Sequence, residues 1–328
     1  ASVIVPTHDR PRAVRETVSH CLASARRAGG EVVVVDDGSS PPLRLETHPD
    51  LRVVRTPGVE RSRARNQGAT NAHGELLIFV DDDITVGADF VAQHVRAAAE
   101  FADVISVGKI SLPREADDSA FGRFRRSIEE PGQARDRGFV VEGNFCTAAN
   151  MSIRKKTFLS LGGFDPAILS GEDQDLALRF TTAGGRIVYL PEAEVIHRDA
   201  VADIAAYGRR HEWGARALAP FLRRYPARPE NVSRLREGLA LGNARWPDEA
   251  SRVVTRSALS RPWPLAFIRG LTGVAERWGA GDGILFPLYR TLLGLPLFRG
   301  FREGLDSVPT APPLPSPLTT SHASGETD

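Results

Sequence analysis

Apolar and polar positions along the first 197 residues follow two alternating patterns. Short runs rich in valine, isoleucine and leucine predict buried β-strands, and the longer stretches between them have the apolar spacing of amphipathic helices. The predicted strands are residues 2–5, 32–36, 52–55, 76–80 and 104–107. The predicted helices are residues 11–27, 61–72 and 88–101. Strands that alternate with helices are typical of an α/β domain whose sheet is mostly parallel.

The pattern changes after residue 198. The strand signals stop, and segments rich in arginine, leucine and alanine, interrupted by prolines, predict several short helices up to residue 305. Residues 306–328 are rich in proline, serine and threonine without periodicity, so we predict a disordered tail. The chain therefore divides into residues 1–198, 199–305 and 306–328.

The longest apolar stretch near the end of the chain, residues 283–298, is interrupted by Arg290, Pro287 and Pro296. A membrane-spanning helix needs roughly 20 predominantly apolar residues, so we predict no span. The chain begins directly with a predicted strand and shows no secretory signal. We therefore expect a cytoplasmic location, either free or peripherally attached to the inner face of the membrane.

Composition narrows the class of protein. With 328 residues, 41% of them hydrophobic, the chain can bury a sizeable core, and two cysteines, Cys21 and Cys146, are too few for a disulfide-stapled fold. The net charge of +1 gives no bulk attraction for nucleic acid. However, residues 198–303 hold 18 arginines and 10 acidic residues. This part either contacts an anionic membrane surface or packs as an ordinary helical subdomain on the first domain or on a second copy in a homodimer.

Polar clusters follow three of the predicted strands at the point where each strand ends. They are Pro6-Thr7-His8-Asp9-Arg10, Asp36-Asp37-Gly38-Ser39-Ser40 and Asp81-Asp82-Asp83. Ligands of an open parallel sheet bind beyond the carboxyl ends of its strands. Three consecutive carboxylates repel one another, so they indicate either a site for Mn²⁺ or Mg²⁺ or a solvated acidic turn before the next helix.

The sequence contains none of the usual glycine-rich phosphate-binding loops. It has no P-loop, and no dinucleotide-binding GxGxxG follows the first strand, so metal and arginines would have to hold a bound nucleotide. A second acidic cluster, Gly171-Glu172-Asp173-Gln174-Asp175, opens a predicted helix. Its carboxylates either stabilise the helix N-terminus or carry chemistry.

Seven blocks of sequence between residues 2 and 197 resemble the family 2 glycosyltransferases in the order and spacing of that family. The blocks are VIVPTHDR, VVVVDDGSS, RARNQGA, ELLIFVDDDI, AANMSIRKKTFLSLGGFD, GEDQDLALR and VIHR. The resemblance implies a GT-A fold, an α/β architecture with a Rossmann-like, mostly parallel sheet flanked by helices, here followed by a C-terminal helical region. It also implies nucleotide-sugar binding in residues 1–110 and an acceptor side in residues 111–198.

The resemblance also implies roles for individual residues. Asp173 matches the catalytic base, with Glu172 as a second candidate, and Asp83 and His197 match ligands of Mn²⁺ or Mg²⁺. Asp82 takes the metal role instead if the turn shifts by one residue. The implied contacts of the nucleotide sugar are Pro6, Thr7, Asp9, Arg10, Asp37, Arg65, Asn66, Asp81, Asp82 and Asn150. Asp165 and Asp175 are expected to be structural, and Trp213 is expected to pack in a helical core rather than line the acceptor site.

The implied reaction is inverting transfer of a sugar to an acceptor hydroxyl. Processive relatives have membrane spans that this sequence lacks, so we expect transfer of a single sugar. UDP-, GDP- and dTDP-sugars all remain possible donors, and the acceptor is a glycan, a lipid-linked sugar or a small molecule. A sugar nucleotidyltransferase is disfavoured by the missing glycine-rich phosphate loop. A nucleotide-binding, catalytically inactive partner subunit is disfavoured because both acidic clusters are present.

Overall fold

The computed structural model describes residues 1–130, 135–199, 201, 203–226 and 248–307. Strands and helices account for most of them. The strands are β1 (Ser2–Thr7), β2 (Glu31–Asp37), β3 (Leu51–Thr56), β4 (Leu76–Val80), β5 (Ile84–Val86), β6 (Val104–Ser111), β7 (Asn150–Arg154) and β8 (Arg186–His197). All five predicted strands are present. The sequence patterns did not predict β5, β7 and β8.

Helices flank the strands and then take over the chain. They are α1 (Pro11–Arg27), α2 (Arg61–Asn71), α3 (Phe90–Glu100), α4 (Ala120–Glu129), α5 (Lys155–Ser160), α6 (Glu172–Thr182), α7 (Ile204–Ala217), α8 (Ala219–Arg224), α9 (Asp248–Leu259), α10 (Pro262–Arg277) and α11 (Asp282–Ser307). The three predicted helices of the first domain are confirmed, and so is the change to helices after residue 198. Of the predicted disordered tail, Asp306 and Ser307 end α11, and residues 308–328 lie outside the described residues.

The strands form one sheet in the order β3-β2-β1-β4-β7-β6-β8-β5. The first four of these are mutually parallel, so the carboxyl ends of β1, β2 and β4 meet at one edge. From β7 onward the sheet is mixed: β7 runs antiparallel to β4, and β5 runs antiparallel to β8. In the last pairing Ile84 lies opposite His197, which brings the end of β8 beside the end of β4.

Both faces of the sheet are covered, as the near-continuous apolar strands require. One face packs on α1 and α3 through residues such as Val14, Cys21 and Phe90. The other packs on α2 and α6 through residues such as Ala69 and Leu176. Cys21 and Cys146 are both free and buried.

The C-terminal helices form a separate pair of apolar clusters beside the sheet. Helix α11 packs along α7, where Gly300 and Gly304 face the backbone of the neighbouring helix: a Cβ at Gly300 would lie 2.1 Å from the carbonyl oxygen of Glu212. Phe124 of α4 and Tyr289 of α11 lie in the same apolar cluster. None of the described helices is long and apolar enough to cross a membrane.

Candidate active site

Polar side chains from β1, β2 and β4 line a cavity of about 380 Å³ at the carboxyl edge of the sheet, which we call the strand-end cavity. It forms there because the strands are parallel and each ends in a polar turn. The lining residues are Pro6, Thr7, His8, Arg10, Asp37, Arg61, Ala64, Asp81, Asp82, Asp83, His197, Asp199 and Arg210. The structure thus brings most of the predicted nucleotide-sugar and metal residues to one place.

Asp81, Asp83 and His197 present three potential metal ligands whose atoms all lie within 4.8 Å of one another. The antiparallel pairing of β5 with β8 sets this geometry, and the N–H of Arg198 donates to the carbonyl oxygen of Asp83 at 2.8 Å. The Nε2 atom of His197 lies 3.0 Å from Oδ1 of Asp83. That oxygen is buried and receives no well-formed hydrogen bond from a described residue. Two carboxylates, an imidazole and a buried oxygen with unused lone pairs fit a divalent cation.

Asp82 points to other partners. Its Oδ2 accepts a hydrogen bond from Oγ1 of Thr7 at 2.6 Å, and its Oδ1 accepts one from Nη1 of Arg10 at 2.6 Å. The second guanidinium nitrogen of Arg10 donates to Asp83 at 2.7 Å. Although burial opposes ionisation, His197 and Arg10 lower the pKa of Asp83 well below its usual value, so this carboxylate is charged. In this structure Asp81 and Asp83, rather than Asp82, lie beside His197.

Arg65 connects the two acidic clusters that the sequence singled out. Its guanidinium is buried and donates to Asp81 at 2.8 Å and to Glu172 at 2.7 Å. Helix α2 carries it close to the sheet because Gly68 lies against β1, where a Cβ would be 2.4 Å from Ile4. A buried cation between two carboxylates is costly to disrupt, because removing either partner leaves an uncompensated charge. Glu172 therefore serves as the ion-pair partner of the buried Arg65.

Asp173 stands in the first turn of α6, directly after Glu172. Its carboxylate accepts hydrogen bonds from the N–H of Ala148 at 3.2 Å and of Gln174 at 2.8 Å. Burial and the neighbouring Glu172 carboxylate raise the pKa of Asp173 to about 7. A carboxylate with a pKa near neutrality is suited to accept a proton in general base catalysis.

A second cavity of about 720 Å³, which we call the helix-side cavity, adjoins the first. Arg61, His197, Asp199 and Arg210 line both cavities. The other residues lining the helix-side cavity are Arg125, Glu129, Ser170, Gly171, Gln174, Tyr207, His211, Trp213, Gly214, Ala215, Leu218, Leu297 and Phe301. This cavity is formed by helices α4, α7 and α11 and by the start of α6.

Trp213 differs from its prediction. Its side chain is 52% exposed and lines the helix-side cavity, so the prediction of a core position is wrong. The sequence also did not indicate Arg125, Glu129 and Tyr207. Glu129 accepts hydrogen bonds from the Tyr207 hydroxyl at 2.6 Å and from Nε of Arg125 at 2.9 Å. The cluster of charged and aromatic residues around Trp213 was the available signal for this wall of the cavity.

Two predicted ligand contacts, Asn150 and Asn66, are not brought to the strand-end cavity. The Asn150 side chain is fully buried within the sheet and donates to the carbonyl oxygens of Lys109 and Ala193. The Asn66 amide is used by the backbone of Phe164, to which it donates at 2.8 Å and from which it accepts at 3.0 Å. Both side chains therefore stabilise the fold here and are not among the donor contacts proposed below.

Asp37 lines the strand-end cavity, whereas Asp9 and Arg65, which were also predicted to contact the nucleotide sugar, are not among its lining residues. Asp9 accepts a hydrogen bond from the N–H of Ser40 at 2.7 Å and so ties the loop after β1 to the loop after β2. Asp37 accepts from the N–H groups of Val59 at 2.7 Å and Glu60 at 3.0 Å. Asp165 and Asp175 form ion pairs with Arg224, in agreement with the structural role expected for them.

Comparison with known proteins identifies the domain. Residues 2–160 match the model of the family described as glycosyl transferase family 2. Residues 2–160 therefore form a domain of this family. Among curated relatives, it is 29% identical over 221 residues to the O-antigen biosynthesis protein RfbC of Myxococcus xanthus, covering 61% of this chain and 17% of that protein. It is 28% identical over 224 residues to the pre-mycofactocin glycosyltransferase of Mycobacterium tuberculosis, covering 63% of this chain and 46% of that protein.

These figures mean that the glycosyltransferase chain spans less than half the length of either relative. A solved structure extends the likeness to the fold. The mannosyltransferase PcManGT from Pyrobaculum calidifontis, in complex with GDP-Man and Mn²⁺, aligns with 90% of this chain and 86% of its own at a TM-score of 0.55 and 19% identity. This likeness confirms the predicted GT-A fold, including its C-terminal helical region.

Proposed function

We propose that this glycosyltransferase moves a single sugar from a nucleoside-diphosphate sugar to an acceptor hydroxyl with inversion at the anomeric carbon. The observation that carries the proposal is the cluster of Asp81, Asp83 and His197 in the strand-end cavity, joined through Arg65 to the start of α6. It provides a cation site and, one residue after the Glu172 that Arg65 holds, a separate carboxylate, Asp173. Such a division of roles is what an in-line transfer needs.

The nucleotide sugar is proposed to bind in the strand-end cavity. Its base and ribose would lie against Pro6, Thr7 and Asp37, which end β1 and β2, and its diphosphate would lie near Arg10 and the cation site. The donor is one of the UDP-, GDP- or dTDP-sugars. Binding of GDP-Man and Mn²⁺ by the structurally similar mannosyltransferase supports this class of ligand.

Asp81, Asp83 and His197 would hold Mn²⁺ or Mg²⁺. When bound, the cation supplies positive charge that stabilises the leaving nucleoside diphosphate. Arg65 keeps Asp81 oriented and ionised, and Arg10 does the same for Asp83.

Asp173 is proposed as the general base that removes the proton from the acceptor hydroxyl. Two backbone N–H groups fix its carboxylate at the start of α6, and its raised pKa lets it hold that proton near neutral pH. Glu172 is disfavoured as the base because it is buried in an ion pair with Arg65. Attack from the side opposite the diphosphate accounts for inversion.

The helix-side cavity is the proposed acceptor site. It shares four lining residues with the strand-end cavity, so an acceptor hydroxyl there would lie next to the donor. Its lining combines arginines and acids with Tyr207 and Trp213, which suits a polar acceptor with a flat or apolar face. A glycan, a lipid-linked sugar and a small molecule all satisfy that description.

Binding of nucleotides tests the proposal. We expect UDP, GDP or dTDP, measured by calorimetry, to bind at least about tenfold more tightly with Mn²⁺ or Mg²⁺ than with chelator, and the matching nucleotide sugar to bind more tightly again. Asp83→Asn should remove the metal dependence, whereas Asp118→Asn, the same change at an exposed site, should not. Absence of metal-dependent binding for all three nucleotides would contradict the proposal. Sugar transfer, as distinct from donor binding alone, would be shown by release of free nucleotide only when an acceptor is added.

A further inference from the structure

Helix α10 presents an exposed apolar face. Trp263 is 73% exposed, Phe267 is 64% exposed and Trp278, at the C-terminal end of the helix, is 86% exposed. Leu271 is also exposed, and positions 263, 267 and 271 follow the four-residue spacing that places side chains along one face of a helix. We call Trp263, Phe267, Leu271 and Trp278 the α10 face. Large apolar patches of this kind mark interaction sites.

Among the described residues, no element buries the α10 face. A different side of the helix is buried, where Leu265 and Ile268 pack in the apolar cluster that contains Leu285 and Tyr289 of α11. The helix is therefore anchored on the protein through one side while its aromatic side points to solvent.

The exposed charges along helix α10 and at its N-terminal cap are mainly positive. Arg261, Arg269 and Arg277 are exposed, and none of them forms an ion pair with a described residue. The single acidic residue of the helix, Glu276, accepts a hydrogen bond from the Tyr289 hydroxyl at 2.6 Å and so is engaged by α11. Helix α10 thus combines an exposed aromatic face with exposed arginines that have no ion-pair partner among the described residues.

We propose that the α10 face rests on an anionic lipid bilayer. Tryptophan is favoured at the boundary between headgroups and acyl chains, where an indole ring is partly buried and its N–H stays solvated. Arginines beside such a face are attracted to anionic headgroups, and an amphipathic helix with these two properties lies in the plane of the interface. A contact with a second copy would instead place a helix with three arginines and one engaged acidic residue against an identical helix, which offers these arginines no net negative partner.

Co-sedimentation with vesicles tests the proposal and is independent of sugar transfer. We expect the full chain to bind vesicles of phosphatidylcholine with 30% phosphatidylglycerol at least about tenfold more tightly than vesicles of phosphatidylcholine alone. The triple variant Trp263→Ala, Phe267→Ala, Trp278→Ala should bind the anionic vesicles at least about tenfold more weakly. Reversal of charge in Arg269→Glu with Arg277→Glu should also weaken binding, and 0.5 M salt should weaken the binding of the unmodified chain.

A matched control removes exposed apolar side chains elsewhere. Phe139→Ala with Leu159→Ala, both about half exposed on the first domain, should leave vesicle binding unchanged. Unchanged thermal unfolding and unchanged nucleotide binding would show that each variant is folded and that its donor site is intact. Equal vesicle binding by the unmodified chain and the triple variant would overturn the proposal. So would a lack of binding to anionic vesicles, or a dimer in solution that the triple variant dissociates.

Discussion

Asp173 is the residue on which the proposed chemistry depends most directly. We expect Asp173→Asn to lower the transfer rate by about 10²–10⁴-fold, which is the range that general base catalysis contributes. The amide keeps the size of the side chain but cannot take up the proton of the acceptor hydroxyl. Donor affinity, measured separately by calorimetry, should change by less than about threefold, because Asp173 contacts neither the cation cluster nor the strand-end cavity.

The control for this variant is again Asp118→Asn, which should transfer sugar at the unmodified rate. Glu172→Gln gives a second comparison, since Glu172 holds the buried Arg65. That variant should lose stability as well as activity. Loss of donor binding in Asp173→Asn equal to its loss of transfer would contradict the assignment of Asp173 as base.

The pH dependence of transfer follows from the same residue. Burial and Glu172 raise the pKa of Asp173 to about 7, so the carboxyl is protonated, and inactive as a base, at lower pH. At saturating donor and acceptor we expect the rate to rise about tenfold per pH unit below this value and to level off above it. A rate that is constant between pH 5.5 and 8 would show that Asp173 does not titrate in the rate-limiting step.

At the scale of elements, the packing of α11 on α7 depends on two glycines. A Cβ at Gly300 would lie 2.1 Å from the carbonyl oxygen of Glu212, and one at Gly304 would lie 2.4 Å from that of Arg216. We expect Gly300→Val to lower the free energy of unfolding by at least about 2 kcal/mol, because the two helices cannot separate without exposing their apolar clusters. Thermal and denaturant unfolding measure this change.

Gly294 provides the matched control within the same helix. Nothing lies within 4 Å of a Cβ built there, so Gly294→Ala should be neutral or stabilising by up to about 1 kcal/mol. Equal stabilities of Gly300→Val and Gly294→Ala would mean that α11 is not held against α7 as described.

How far each element could be predicted depends on the strength of its local pattern. Helix α1 is predicted at its observed bounds because Pro11 suits the first helical position and the apolar spacing continues to Arg27. Strand β5 has only three residues and owes its existence to pairing with β8, a long-range contact that no local pattern shows. Strand β7 carries Asn150, whose polar side chain satisfies backbone groups inside the sheet and was interpreted from the sequence as a ligand contact.

The site shows the same limit at the scale of the whole molecule. The parallel direction of β1, β2 and β4 places the polar clusters at their carboxyl ends on one edge of the sheet, so their meeting could be predicted from the sequence. Which aspartates face His197 could not, because the answer depends on the turn after β4 and on the β5–β8 pairing. Likewise, the link from Asp81 to Glu172 runs through Arg65 on α2, whose burial is a property of the assembled fold.

In the proposed function the donor binds at the sheet and the acceptor binds beside the C-terminal helices, and Trp213 tests that division. We expect Trp213→Ala to raise the KM for the acceptor about tenfold, equivalent to about 1.4 kcal/mol, because the side chain lines the helix-side cavity. The affinity for the nucleotide sugar should stay the same, since Trp213 does not line the strand-end cavity. Steady-state kinetics with each substrate varied in turn measure both effects. Trp263→Ala, which removes an indole from the α10 face, should change neither constant when the acceptor is soluble. A weaker donor affinity in Trp213→Ala, or an unchanged acceptor KM, would place the acceptor elsewhere on the protein.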